Sequence, residues 1–332
     1  MAQNIDFLAI GDITTDAFIT IKDASVNCEI NRDTCMLCVR FGDKVPYESV
    51  DIVTAVGNSP NAAVSAHRLG LHAALASNLG DDQNGKDCVA ALTSEGLDTT
   101  YVTVHPGKET NYHYVLRYDD ERTILVKHHE YPYQLPSFET PPRWMYLSSL
   151  GENSLAYHHE IARFVTEHPE TKLAFQPGTF QIKLGLTGLA DMYKITELFF
   201  CNKQEANILL GTHTDDISEL LKGLHEHGPK IVVITDGPKG AHTYDGNEIW
   251  FMPMYPDPKP PVDRTGAGDS FSSTFTSALA LGLDIPTALA WGPINSMSVV
   301  QYIGAQKGLL TRAQVEKYLA EAPAEYKPQK IS

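Results

Sequence analysis

Between Trp144 and Thr235 the chain repeats one arrangement: a short apolar run, a stretch long enough for several helical turns, then another apolar run. The runs are Trp144–Leu147, Lys172–Phe175, Leu198–Cys201 and Lys230–Thr235. The stretches between them that read as helices are Ser154–Glu167, Gln204–Leu210 and Ile217–His227. Such strands, separated by crossover helices, belong in a parallel sheet covered on both faces, which makes the chain α/β. Asp6-Phe-Leu-Ala-Ile-Gly11 reads as a buried first strand, and Asn61–Leu69, closed by Gly70, as a helix. Three further helices are expected over Asp269–Leu281, Pro286–Tyr302 and Arg312–Glu321.

Two segments fall outside this rhythm. Residues 17–55 mix β-branched, polar and aromatic types without helical periodicity, and Tyr112, Tyr114 and Leu116 alternate with polar neighbours. Together they predict a small β-rich appendage, built from 17–55 and 105–127, on a core made of 1–16, 56–104 and 128–332. Phe18, Ile19, Val26, Ile30, Met36, Leu37, Val39, Phe41 and Val45 then lie outside the core, and an apolar sheet face of this kind needs a cover.

Charge narrows the partners. With 26 Lys and Arg against 41 Asp and Glu, the net charge of −15 disfavours a phosphate backbone, so no nucleic acid is expected. No apolar run reaches the ~18 residues of a membrane helix, and Met1–Gly11 lacks the marks of a signal peptide, so a cytoplasmic protein is expected. The five cysteines are an odd set, unlike a disulfide framework, and Cys35-x-x-Cys38 has no second pair to complete a zinc site. The 13 histidines, His128 and His129 included, form no metal-binding arrangement and read as exposed or satisfied.

The chemistry concentrates in Asp263-Arg-Thr-Gly-Ala-Gly-Asp269, where two glycines open a helix. Unpaired N–H groups at a helix start, aided by the helix dipole, attract an anion, and an aspartate beside them can take a proton from an attacking hydroxyl. Alone, the pattern is also an ordinary glycine-rich turn.

It stands in order with four others: Gly11-Asp-Ile-Thr-Thr-Asp16, Gly57-Asn-Ser-Pro-Asn61, Gly80-Asp-Asp-Gln-Asn-Gly85 and Asn202-Lys-Gln-Glu205. The series resembles the ribokinase, or PfkB, family of carbohydrate kinases over nearly the whole chain. The resemblance implies a three-layer α/β/α core with a small β-sheet lid and transfer of phosphate from ATP to a hydroxyl. It makes Asp269 the general base and the Gly266-Ala267-Gly268 backbone the anion hole. Asp16, Gly57, Asn58 and Asn61 would bind a small sugar-like substrate. Asn202 and Glu205 would organise Mg²⁺ near the ATP phosphates, Thr235, Gly237 and Gly240 would form the nucleotide turn, and Asp263 would stand beside a monovalent cation such as K⁺. Lids of this family pair between subunits in several members, so a homodimer through the lid is expected.

Departures from the family pattern cluster on the substrate side. Val56 replaces a glycine, Gln176 precedes the proline where an acid or asparagine is usual, and the register of Glu152 is open. Asn58-Ser59-Pro60 offers no cation for a substrate phosphate, which favours a neutral sugar or nucleoside over a phosphosugar. A non-catalytic binding protein on the same fold is the third reading. Two other motifs fail on chemistry. Gly80-x₄-Gly85-Lys86 has Asp87 where a phosphate loop needs Ser or Thr, and Phe271 occupies the place of a dinucleotide fingerprint's third glycine.

Overall fold

A computed structural model describes residues 4–28, 35–119 and 121–331. Ile30, one of the apolar lid positions, lies outside them. The core is a ten-stranded sheet in the order Gln329–Lys330, Ile249–Met252, Ala241–Tyr244, Ile231–Thr235, Thr196–Asn202, Lys172–Phe175, Trp144–Leu147, Phe7–Ile10, Ala73–Gly80 and Val102–His105. From Ile231–Thr235 to Val102–His105 every pairing is parallel. The expectation of a parallel sheet needs one correction, because three antiparallel strands extend that edge. Turn residues at Gly237–Gly240 and Asp245–Asn247 allow hairpin returns there without a crossover helix.

Alternation along the strands divides the core. Phe7 and Ala9 join one apolar layer with Ala62, Phe275, Leu289 and Val315. Leu8 and Ile10 join the opposite layer with Ile161, Met192 and Leu220. Helices therefore cover both faces, as the apolar runs require. Phe7–Ile10 lies between Trp144–Leu147 and Ala73–Gly80, so the strand order reverses beside it. Open α/β sheets form their ligand crevices at such reversals, beyond the strands' carboxyl ends.

The lid is a separate four-stranded sheet of Tyr47–Val56, Thr14–Ile21, Asn111–Tyr118 and Glu121–Leu125, in that order. Its central pair is parallel, matching Asp16 with His113 and Phe18 with Val115. Asp82 braces the root of one lid strand: its carboxylate accepts from the Thr110 backbone N–H at 3.0 Å, from its hydroxyl at 2.6 Å, and from Gly85 N at 2.9 Å. Gly80–Gly85 thus leads into a capped helix, Gln83–Ser94, and its aspartates serve the fold.

A small exposed hairpin, Ser25–Cys28 with Cys35–Cys38, extends the lid. It corrects the cysteine reading. Cys28 and Cys35 stand directly opposite in the register and form a disulfide, so Cys35 is bridged across the hairpin and Cys38 is left as a thiol. Among the described residues no group of His, Cys, Asp or Glu could hold a metal by itself, and no helix is long and apolar enough to cross a membrane.

Candidate active site

The carboxyl ends of the core strands release the site residues in turn. Asp12, Ser149, Gln176, Asn202 and Thr235 each stand at or just beyond the end of a strand. Onto this rim the helix Ala267–Ala280 brings its N-terminus. Gly266 begins it with φ of 78°, and a Cβ there would lie 2.2 Å from that of Ala305, so only glycine permits the turn. No side chain caps this helix, whereas Asp82, Asp216 and Asp284 cap others. The Ala267 N–H donates to the Arg264 carbonyl at 3.4 Å, while no side chain meets the N–H groups of Gly268 and Asp269, and an open helix start of this kind suits an anion.

Asp269, in that first turn, is 8% exposed. Its carboxylate accepts three amide hydrogen bonds: Asn58 at 2.8 Å and Gln176 at 3.2 Å on Oδ1, and Asn61 at 2.9 Å on Oδ2. Burial raises its pKa above the ordinary carboxylate value, while the bonds from Asn61, Gln176 and Asn58 and the charge of Arg122 oppose the rise. Gln306 donates to Asn61 Oδ1 at 3.0 Å and fixes which way that amide faces.

Two cavities meet at this turn. One, of about 410 Å³, is lined by Asp16, Gly57, Asn58, Asn61, Thr265 and Asp269, among others. Gly57 holds a φ of 122°, and a Cβ on it would approach the Asp12 carbonyl to 2.7 Å. The other cavity, of about 380 Å³, is lined by Thr235, Gly237, Gly240, Ala267 and Gly268 with Tyr255, Phe271 and Met297. The structure therefore places most of the residues singled out in the sequence on two cavities, Asn202, Glu205, Asp263 and Gly266 excepted, with the Thr265–Asp269 turn as their common wall.

Asn202 and Glu205 line neither cavity. They form a reciprocal cap on the helix Lys203–Leu210, each bond 2.8 Å, so one Glu205 oxygen is engaged locally. Burial raises the Glu205 pKa, and the charge of Asp269 adds to the rise despite the Asn202 bond. The two carboxyl groups thus share one field. Asp263 is wholly used as a brace: Oδ1 accepts from Thr265 N at 3.0 Å and its hydroxyl at 2.8 Å, and Oδ2 from Gly304 N at 3.0 Å.

Several residues escaped the sequence reading. His113 and His128 line the first cavity with Phe18, Phe180 and Lys183, which corrects the view of the histidines as bystanders. His113 Nδ1 lies 3.3 Å from Asp16 Oδ1, and His128 Nδ1 lies 3.3 Å from Asp12 Oδ2. The Tyr133 hydroxyl, which accepts from Gly151 N, donates to Asp12 at 2.9 Å. The only sequence signal was the alternation around Tyr112 and Tyr114, which puts His113 on the opposite lid face; the pairing with Asp16 is a matter of register. Val56 and Ser149 also line the cavity, whereas Glu152 is exposed at the start of a short 3₁₀ turn outside it. The Gln176 departure is now accounted for: its amide donates to Asp269 while its carbonyl accepts from the Tyr146 hydroxyl.

A parallel sheet covered by helices, a lid, and one helix N-terminus between two cavities form the layout of a ribokinase-like fold. Comparison with known proteins makes this definite. Residues 33–312 match the pfkB family of carbohydrate kinases, and the chain belongs to that family. It is 30% identical over 270 residues to the ribokinase of Bacillus subtilis, covering 80% of this chain and 87% of that one. It is 25% identical over 328 residues to a nucleoside kinase of Methanothermobacter thermautotrophicus, covering 97% and 98%. Arabidopsis thaliana ribokinase, solved with ribose and ATP, superposes with a TM-score of 0.77 at 18% identity, over 96% of this chain and 99% of that one. As a member of the pfkB family of carbohydrate kinases, the protein is a phosphotransferase.

Proposed function

We propose that this kinase transfers the γ-phosphoryl group of ATP to a primary hydroxyl of a non-phosphorylated sugar or nucleoside, with Asp269 as general base. One observation carries the reading: the turn that walls both cavities presents Asp269 to one and Gly268 to the other. An acceptor hydroxyl beside Asp269 would lose its proton to a carboxylate already held by three amides. The N–H groups of the uncapped helix start, from Gly266 through Gly268, would stabilise charge on the phosphoryl oxygens. Asp16, Gly57, Asn58 and Asn61 would hold the acceptor, and Thr235, Gly237 and Gly240 the nucleotide. The segments 17–55 and 105–127 would act as a lid that excludes water and limits ATP hydrolysis.

The residues present fit Mg²⁺ in the way that ion prefers. Glu205 keeps one carboxylate oxygen outside its cap and can hold Mg²⁺ through water, Asn202 setting its orientation, with phosphates completing the shell. The ion would supply charge neutralisation on the phosphates. K⁺ beside Asp263 would share a carboxylate that already accepts three hydrogen bonds, and dependence of the rate on added K⁺ tests it. A cytoplasmic setting and a homodimer paired through the lid accord with this reading.

Lys183 favours a second reading, a phosphosugar acceptor, because it brings to the first cavity the cation that Asn58-Ser59-Pro60 lacks. Asp269→Asn tests the mechanism. It should leave ATP affinity within a few-fold and lower turnover by ~10²–10⁴. Retention of more than about a tenth of wild-type turnover contradicts the assignment of Asp269.

A further inference from the structure

The floor and roof of the acceptor cavity differ in chemistry. The core supplies the floor, where Asn58, Asn61 and Asp269 offer hydrogen bonds. The roof side brings Phe18, His113, Ile124, Val126 and His128. His113 and His128 have ring centroids 5.2 Å apart, and the edge of Phe180 meets His128 at 6.0 Å. This wall offers ring faces and aliphatic side chains in place of the many hydrogen-bond partners that the hydroxyls of a free sugar would use.

The same wall holds polar atoms without a hydrogen-bond partner. Asp16 Oδ1, His113 Nε2 and His128 Nδ1 are buried and unsatisfied, since the 3.3 Å contacts to the carboxylates lack hydrogen-bond geometry. Buried polar groups left this way normally await a ligand or water. An imidazole can present a donor on one nitrogen and an acceptor on the other, which suits a flat ring with both along its edge. Aromatic and imidazole faces suit the same ring by stacking. The cavity, about 410 Å³, lies in the range of clefts that enclose ligands larger than one sugar ring, roughly 300–1,000 Å³.

We infer that His113, His128 and Phe180 form a subsite for a heteroaromatic base, so that the acceptor is a nucleoside whose pentose hydroxyl faces Asp269. The inference rests on the phosphotransfer reading for the reacting end alone.

Two measurements test it. The wild-type enzyme is assayed for ADP release with ATP and free sugars, purine and pyrimidine nucleosides, or sugar phosphates. The Asp269→Asn variant is titrated with the same compounds by calorimetry, so that binding is read without turnover. A nucleoside should give a kcat/KM about tenfold or more above any free sugar or sugar phosphate, and should bind the variant more tightly than ribose does. His128→Ala and Phe180→Leu should each raise the KM for that nucleoside about tenfold, with a smaller change in kcat. A free sugar or sugar phosphate preferred over every nucleoside overturns the base subsite and leaves phosphotransfer standing. Nucleoside binding without turnover of any acceptor overturns phosphotransfer and supports the subsite. Neither binding nor turnover overturns both.

Discussion

Asp269 is pulled in two directions, and the balance is measurable. Burial favours its neutral form, and three amide donors favour its charged form. Only the ionised carboxylate can accept a proton, so kcat/KM should fall as pH falls through its pKa. With burial prevailing, that acid limb should lie above the ordinary aspartate value of ~3.9. Gln176→Leu removes a donor to the charged form, so it should move the limb to higher pH. A pH profile of both proteins checks this, and a limb that stays put or moves down would mean that Gln176 does not tune Asp269. The position of Asp269 beside two glycines was plain in the sequence. Its three amide partners were not recognised as such, because Asn58, Asn61 and Gln176 reach it across more than ninety residues of chain.

At the scale of elements, Gly266 and Gly268 in the turn before Asp269 do different work, and substitutions should separate them. Gly266 needs its positive φ and the space that a methyl would take from Ala305. Gly266→Ala should destabilise the fold by roughly 2–5 kcal/mol, from left-handed backbone strain and overpacking together. Gly268 has no such constraint, and a Cβ there meets nothing closer than Gln176 Nε2 at 3.8 Å. Gly268→Ala should therefore unfold in urea near the wild-type midpoint while turnover falls about tenfold or more, since a methyl would crowd the approach to a donor group whose loss costs ~10²–10³. Equal urea midpoints for the two variants would contradict this division. The helix itself was legible, but its start at Ala267 rather than Asp269 was not. The helices Gln83–Ser94 and Thr179–Gly188 were missed, for want of a strong apolar period.

Over the whole molecule, the proposed homodimer turns on the outer face of the lid. Its register aligns Ile52, Ala17, Tyr114 and Leu125 in one row across all four strands. Three of these are open to solvent, at 61% for Ile52, 48% for Tyr114 and 51% for Leu125. In the neighbouring row Phe18 and Val115 are buried, and Ile124, although 41% exposed, lines the first cavity. An exposed apolar row across a sheet marks an association surface, and a second copy of the same lid would cover it symmetrically. Sedimentation at micromolar concentration should give twice the 36.6 kDa chain mass, and Ile52→Asp should shift it to the monomer. A fully active wild-type monomer rules the dimer out.

What the sequence determined by itself is what depends on neighbours along the chain. Short apolar runs without alternation, set between longer amphipathic stretches, read as strands buried on both faces, and glycines before an apolar-periodic stretch read as a helix start, so the α/β core and the helix after Gly266 were readable. What the tertiary structure decided depends on register between distant strands. Nothing near His113 in sequence says that it will stand opposite Asp16, and nothing near His128 says that it will lie 3.3 Å from Asp12. Strand pairing is set by which faces can be buried together, a property of the whole sheet. That His113 and His128 would share one cavity with Asp269 was therefore decided by how the lid sheet pairs and packs on the core.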